Sequence, residues 1–185
     1  MLNLPNLLSL LRIILIPVLV LLYFLPFESA STWATAVFIV AAVTDWLDGY
    51  LARKWNQTSA FGAFIDPVAD KLIVVVALVM VLFKSPLWYV LIPVILIIAR
   101  ELTVSALREW MAELGQRNVV KVSNMGKWKT TFQMVAISCL IFYKPLFGLP
   151  IFEVGIVLLY LAAWLTLQSM WNYLRAALPL LLNKA

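Results

Sequence analysis

Six apolar runs, each near the length an α-helix needs to cross a bilayer, leave this chain little room to be anything but a bundle of membrane helices. The first is about Leu7 to Leu25, after a short polar opening from Asn3 to Asn6. The second is about Thr32 to Arg53, with the serines of Glu28-Ser29-Ala30-Ser31 as N-cap candidates. The third covers about Ser59 to Phe83, and the fourth, from Pro86 to about Leu114, turns polar in its second half. The fifth and sixth are about Met125 to Tyr143 and about Pro150 to Leu174. Lys84-Ser85-Pro86, Gly115-Gln116-Arg117-Asn118 and the stretch from Lys144-Pro145 to Pro150 mark the clearest breaks. No internal repeat or low-complexity segment is visible. The expected architecture is an all-α integral membrane protein of six transmembrane helices, forming a single membrane domain over residues 1–185.

Composition narrows the function classes. The chain is 64% hydrophobic and only 12% charged, with a mean hydropathy of +0.99, which excludes an ordinary soluble domain. Its net charge of +5 lacks the long aqueous segment that a nucleic-acid-binding face requires, so no nucleic-acid partner is expected. With no histidine, His-based catalysis and His metal ligands are excluded. The single cysteine, Cys139, excludes an internal disulfide and reads as a small core residue. The first apolar run contains Pro17 and has no small-residue cleavage site, so it is expected to be a retained helix.

Lysine and arginine placement suggests the orientation. If both termini and the loops joining helices 2 to 3 and 4 to 5 share one side, that side carries twelve of the basic residues. Only Lys84 and Lys144 remain on the other. By the positive-inside rule both termini are expected in the cytoplasm.

Against this background one stretch stands out, TDWLDGYLARKWNQTSAFGAFIDPVADK, from Thr44 to Lys71. It holds Asp45, Asp48, Asp66 and Asp70, all the aspartates of the chain. Residues three and four apart share a helical face. Asp45 and Asp48 therefore point together from the end of helix 2, and Asp66 and Asp70 do so from the start of helix 3. If those two helices pack together, four carboxylates converge on one volume and repel unless cations lie between them. An all-oxygen donor set of four carboxylates suits two divalent cations, Mg2+ or Mn2+, an arrangement that commonly clamps the oxygens of a phosphoryl displacement. Gly49, Ala52 and Gly62 are small where a ligand or a second backbone must come close, and Arg53 could pair with a phosphate. Blander readings exist for each part. Asp66-Pro67 could simply start helix 3, Asp70 and Lys71 could be a solvated pair, and Gly49 and Ala52 could be helix-packing residues. None of these explains why every aspartate lies within 26 positions of sequence around a small-residue stripe and an arginine.

The spacing D-x2-D-G-x2-A-R-x8-G-x3-D-x3-D resembles the signature of the CDP-alcohol phosphotransferase family of integral membrane enzymes, with every fixed position matched. The six-helix layout resembles that family too, so the likeness spans essentially the whole chain. It implies that Asp45, Asp48, Asp66 and Asp70 bind two divalent metals, which hold the pyrophosphate of a CDP-linked lipid. It also implies that Asp48, Gly49, Ala52, Arg53 and Gly62 line the cytidine nucleotide pocket. Asp70 would double as the general base that takes the proton from the acceptor hydroxyl. A homodimer in the bacterial cytoplasmic (inner) membrane, with the site facing the cytoplasm, is the arrangement the resemblance suggests. Because no cysteine, histidine or obvious serine beside the motif offers a covalent nucleophile, direct transfer is expected.

The acceptor has to be read elsewhere. Helix 4 turns polar in ARELTVSALREWMAELG from Ala99, and helix 5 opens with Asn124-Met125-Gly126-Lys127-Trp128-Lys129-Thr130. Arg100, Arg108, Lys127 and Lys129 form a set of cations suited to an acceptor that carries its own phosphate; the alternative is that they enforce topology or bind lipid headgroups. These stretches, with the opening LPNLLSLLRIILIP, resemble the bacterial branch of the family that uses CDP-diacylglycerol as donor and sn-glycerol 3-phosphate as acceptor. Another acceptor alcohol, such as inositol phosphate or serine, is the nearest alternative. A cation transporter is a more distant one, since it predicts midplane carboxylates and internal repeats. A purely structural membrane protein leaves the aspartate spacing without explanation.

Overall fold

A computed structural model describes residues 4–55, 60–116 and 124–182, and among them the chain is all-helical. Six helices follow in order: α1 Leu4–Phe24, α2 Ala30–Trp55, α3 Ala60–Lys84, α4 Trp88–Glu113, α5 Asn124–Phe142 and α6 Ile151–Leu182. The expected number and order of helices are found. Asn6–Phe24, Trp88–Glu113 and Ile151–Leu178 are long and apolar enough to cross a membrane; Ala30–Asp45 and Lys129–Phe142 are shorter apolar helices. Leu21, Phe83, Trp88, Trp164 and many other large apolar side chains are exposed. Water penalises such a surface, whereas lipid accommodates it.

Helix ends follow local chemistry. α4 closes on Gly115 at φ 71°, where the Gly115 N–H donates to the Ala112 carbonyl (3.1 Å) and the Gln116 N–H to the Met111 carbonyl (2.8 Å). This paired bonding satisfies carbonyls that a helix end otherwise leaves without partners, and it needs the left-handed backbone that glycine adopts without strain. Between α5 and α6, Leu146 and Leu149 exchange both backbone hydrogen bonds (3.1 and 2.9 Å) around Phe147 and Gly148. Both central residues have positive φ, the signature of a tight two-residue turn. α6 runs about two turns beyond the expected end near Leu174. Beyond that end Ala177 is buried with Val104, Leu107 and Met111 of α4, as is Tyr173 just before it. The Arg175 guanidinium lies over the Trp171 ring at 5.7 Å, on the same helix.

By internal packing the chain forms two compact units: Met1–Ser85 with Ile137–Gly155, and Pro86–Ala136 with Ile156–Ala185. In the first unit α1 packs along both α2 and α3, while α2 and α3 touch each other only sparingly. Among the described residues, α1 supplies the surface that α2 and α3 have in common. Buried Ala34 and Ala41 on α2, and Ala69 and Ala77 on α3, are the small side chains that let membrane helices approach closely. Near the end of α1 away from Ser9 and Arg12, Phe24 meets Phe83 edge to face at 5.4 Å. There the Lys84 ammonium lies 4.7 Å from the Tyr23 ring centre. Ser9 and Phe24 are about fifteen residues apart on one helix, hence separated by roughly 22 Å.

In the same unit Gly155 is a close-approach point between α6 and α5. A Cβ there would lie 3.0 Å from Cys139 Cβ and from two Leu140 side-chain atoms.

Candidate active site

Asp45 lies in the second half of α2, and Asp66 and Asp70 lie one turn apart in α3. α3 begins at Ala60, and Pro67 is inside it. Asp66 is therefore a mid-helix carboxylate, and the reading in which Asp66-Pro67 merely starts the helix is excluded. A proline one turn and more into a helix removes a backbone donor, a feature that membrane helices tolerate where neighbours re-satisfy the backbone.

What brings the carboxylates together is α1. Arg12 Nη1 donates to Asp45 Oδ1, and Arg12 Nη2 lies 3.8 Å from Asp66 Oδ1. The Ser9 hydroxyl donates to the same Asp66 oxygen. The Arg12 side chain is 0% exposed, whereas those of Asp45 and Asp66 are 38% and 46% exposed. One guanidinium at depth thus links two carboxylates that reach outward from different helices. A buried guanidinium demands such partners, since an unpaired charge away from water is very costly.

Asp70 is half-buried and Gly62 is buried. Asp48, Gly49, Ala52 and Arg53 follow Asp45 on α2, but their side-chain environments lie outside the described residues, as does that of Lys127. Among the described residues no three His, Cys, Asp or Glu side chains form a cluster that could hold a metal; Asp48 falls outside that description. The donors that are described fit a hard cation. They are carboxylate oxygens, drawn from two helices and both within reach of a single cationic group.

Sequence reasoning missed Ser9 and counted Arg12 only as a topology charge. A signal was present. Asn6, Ser9 and Arg12 recur every three residues in an otherwise apolar helix, and all three are buried, which marks a polar face turned inward.

The second unit holds a different charged cluster. Arg100 Nη1 and Lys129 Nζ both donate to Glu101 Oε1, at 2.8 and 2.7 Å. Arg100 Nη2 is 3.4 Å from Ser169 Oγ. Arg100 and Lys129 are buried, with the Lys129 side chain only 3% exposed. Arg108 is exposed, its guanidinium 5.5 Å from the Tyr173 ring centre. The structure thus brings Arg100 and Lys129 together through Glu101, the residue that directly follows Arg100 in the polar half of α4. Among the described residues, Gln133 Oε1 and Thr166 Oγ1 of this unit are buried with no hydrogen-bond partner.

The chain is similar to known proteins along nearly its whole length. A family model described as CDP-alcohol phosphatidyltransferase matches residues 2–168. A Haemophilus influenzae protein named CDP-diacylglycerol–glycerol-3-phosphate 3-phosphatidyltransferase is 50% identical over 182 residues, covering 98% of this chain and 96% of the relative. Proteins of the same name from Salmonella choleraesuis and Shigella flexneri serotype 5b are each 52% identical. They cover 95% and 98% of this chain, and 94% and 98% of their own lengths.

Proposed function

The chain belongs to the CDP-alcohol phosphatidyltransferase family, and from that membership we propose that it transfers the phosphatidyl group of CDP-diacylglycerol to sn-glycerol 3-phosphate. The products are phosphatidylglycerophosphate and CMP, a step in anionic phospholipid synthesis. The observation that carries the reading is the complete aspartate signature from Asp45 to Asp70, in a chain about half identical along nearly its whole length to relatives named for this reaction.

Members of the family are in general dependent on divalent metals. Asp45, Asp48, Asp66 and Asp70 are proposed to hold two such cations, Mg2+ or Mn2+, which when bound neutralise charge on the phosphate oxygens and on the departing CMP. Asp48, Gly49, Ala52, Arg53 and Gly62 line the cytidine nucleotide, with small residues where the nucleotide comes close and Arg53 against phosphate. Asp70 takes the proton from the primary hydroxyl of the acceptor as that oxygen attacks the lipid-linked phosphorus. One P–O bond forms to the acceptor, the bond to the CMP oxygen breaks, and CMP leaves with its electron pair. Arg100, Arg108, Lys127 and Lys129 receive the phosphate that the acceptor already carries. Transfer is direct, with position and electrostatics supplying the rate.

The same reading places the chain as a single catalytic domain, working as a homodimer in the bacterial inner membrane. Both termini and the aspartate site face the cytoplasm, which the distribution of lysine and arginine supports.

The test is CMP release by purified protein in detergent, supplied with CDP-diacylglycerol, Mg2+ or Mn2+, and a panel of acceptors. Release that requires both a divalent metal and glycerol 3-phosphate is expected. Release with a different alcohol alone overturns the acceptor assignment but keeps the aspartate site. No release with any acceptor, from folded protein, overturns the reaction.

A further inference from the structure

Arg12 sits where a positioning device for the aspartates would be placed. Its side chain is fully buried, yet the carboxylates it meets remain 38% and 46% exposed. A guanidinium needs only one carboxylate to offset its burial. This one is shared between Asp45 of α2 and Asp66 of α3, two helices that touch each other only sparingly. Within this group of side chains, the separation of the two carboxylates is set by the Arg12 fork on α1. Ser9, one turn earlier on the same face, adds its hydrogen bond to Asp66. All these contacts are made to Oδ1.

We propose that Arg12, assisted by Ser9, is a positioning residue that fixes the orientation and spacing of Asp45 and Asp66 for divalent cations. In the absence of metal its charge also offsets the repulsion between the two carboxylates, so the site is formed before a cation arrives. The inference rests on the reading of the aspartates as metal ligands. Replacing a group that orients a metal ligand through a hydrogen bond typically costs about 10- to 100-fold in metal affinity or activity. Lysine would keep the positive charge at position 12, but its point-like ammonium has no planar fork to reach two carboxylates in fixed directions. Charge alone is thereby separated from geometry.

The experiment is a Mn2+ titration followed by electron paramagnetic resonance, on purified protein in detergent without lipid substrate. Wild type, Arg12→Lys and Ser9→Ala are compared, each checked for folding by thermal unfolding. In Arg12→Lys, Mn2+ binding is expected to weaken by about 10- to 100-fold, and CMP release should recover most of its rate when Mn2+ is raised to saturation. Ser9→Ala should weaken Mn2+ binding by about tenfold, the loss of one hydrogen bond to a charged group. A folded Arg12→Lys protein with wild-type Mn2+ affinity overturns the proposal. Should Arg12→Lys fail to fold, Ser9→Ala decides, and unchanged Mn2+ affinity there overturns it equally. Wild-type protein that binds no Mn2+ overturns the metal reading itself before any substitution is considered.

Discussion

The two units handle buried charge in opposite ways. In the first, among the described contacts, one cation serves two acids: Arg12 is enclosed, while Asp45 and Asp66 are partly exposed. In the second, one acid serves two cations: Glu101 Oε1 accepts from both Arg100 and Lys129. The first group is left with surplus negative charge and the second with surplus positive charge. In a helix long enough to span a bilayer, ionisable residues are tolerated when they pair and when they serve a function. Pairing with one charge left over satisfies both conditions. It steadies the group and, in the reading proposed above, leaves a field for a cation in the first unit and for a phosphate in the second.

If that contrast is right, removing the surplus charge should harm function, while removing the shared partner should harm the fold. The largest effect is expected from Asp70→Asn, which keeps the shape and hydrogen-bonding size but cannot accept the acceptor proton. The rate of CMP release should fall by about 10³-fold, with far less change in binding of CDP-diacylglycerol. Comparable losses of rate and binding would make Asp70 a metal ligand only. Next is Glu101→Gln, which leaves Arg100 and Lys129 buried together without their common anion. Thermal unfolding in detergent should show a loss of about 3 kcal/mol. A stability near that of wild type would mean that the two cations do not depend on Glu101, and the contrast between the units would fail.

The fold was legible wherever one helix is determined by its own residues. Run length found all six helices, and Gly115 and the Lys84-Ser85-Pro86 break marked true ends, because bilayer thickness and turn chemistry act locally. The four aspartates were legible for a related reason: expensive residues concentrated in a short stretch of an apolar chain need an explanation. What sequence spacing could not reveal are contacts made across helices. The Ser9–Asp66 hydrogen bond joins residues 57 positions apart, and Lys129 finds Glu101 from 28 positions away. Arg12 was read as one more cytoplasmic charge because its partners become visible only once α1 lies against α2 and α3. The end of α6 was missed for the same reason, since burial of Ala177 against α4 carries the helix past Leu174.

Lys129 tests whether the surplus positive charge has a ligand. Its ammonium already donates to Glu101 at 2.7 Å, so an ion pair could be its whole purpose. Lys129→Ala separates the two roles through the kind of damage it does. If Lys129 meets the acceptor phosphate, the KM for glycerol 3-phosphate should rise by about tenfold, equivalent to roughly 1.4 kcal/mol, while the KM for CDP-diacylglycerol stays nearly constant. If it only pairs with Glu101, the melting temperature falls and neither KM moves.

The smallest expected effect belongs to Arg108, whose exposed guanidinium lies 5.5 Å from the Tyr173 ring centre. Arg108→Lys preserves the charge and weakens the stacking of a flat guanidinium on the ring. A cation–π contact at an exposed position is worth about 0.5–1 kcal/mol, so the stability change should stay below roughly 1 kcal/mol. Retained charge should hold the KM for glycerol 3-phosphate within about twofold of wild type, whereas Arg108→Ala should raise it further, by about fivefold, as expected for a lost charge contact at an exposed position. Equal KM values for the lysine and alanine variants would show that charge at position 108 does not matter to the acceptor. The positive surplus of the second unit would then reside in Arg100 and the lysines of α5, with Arg108 left as a stacking partner for Tyr173.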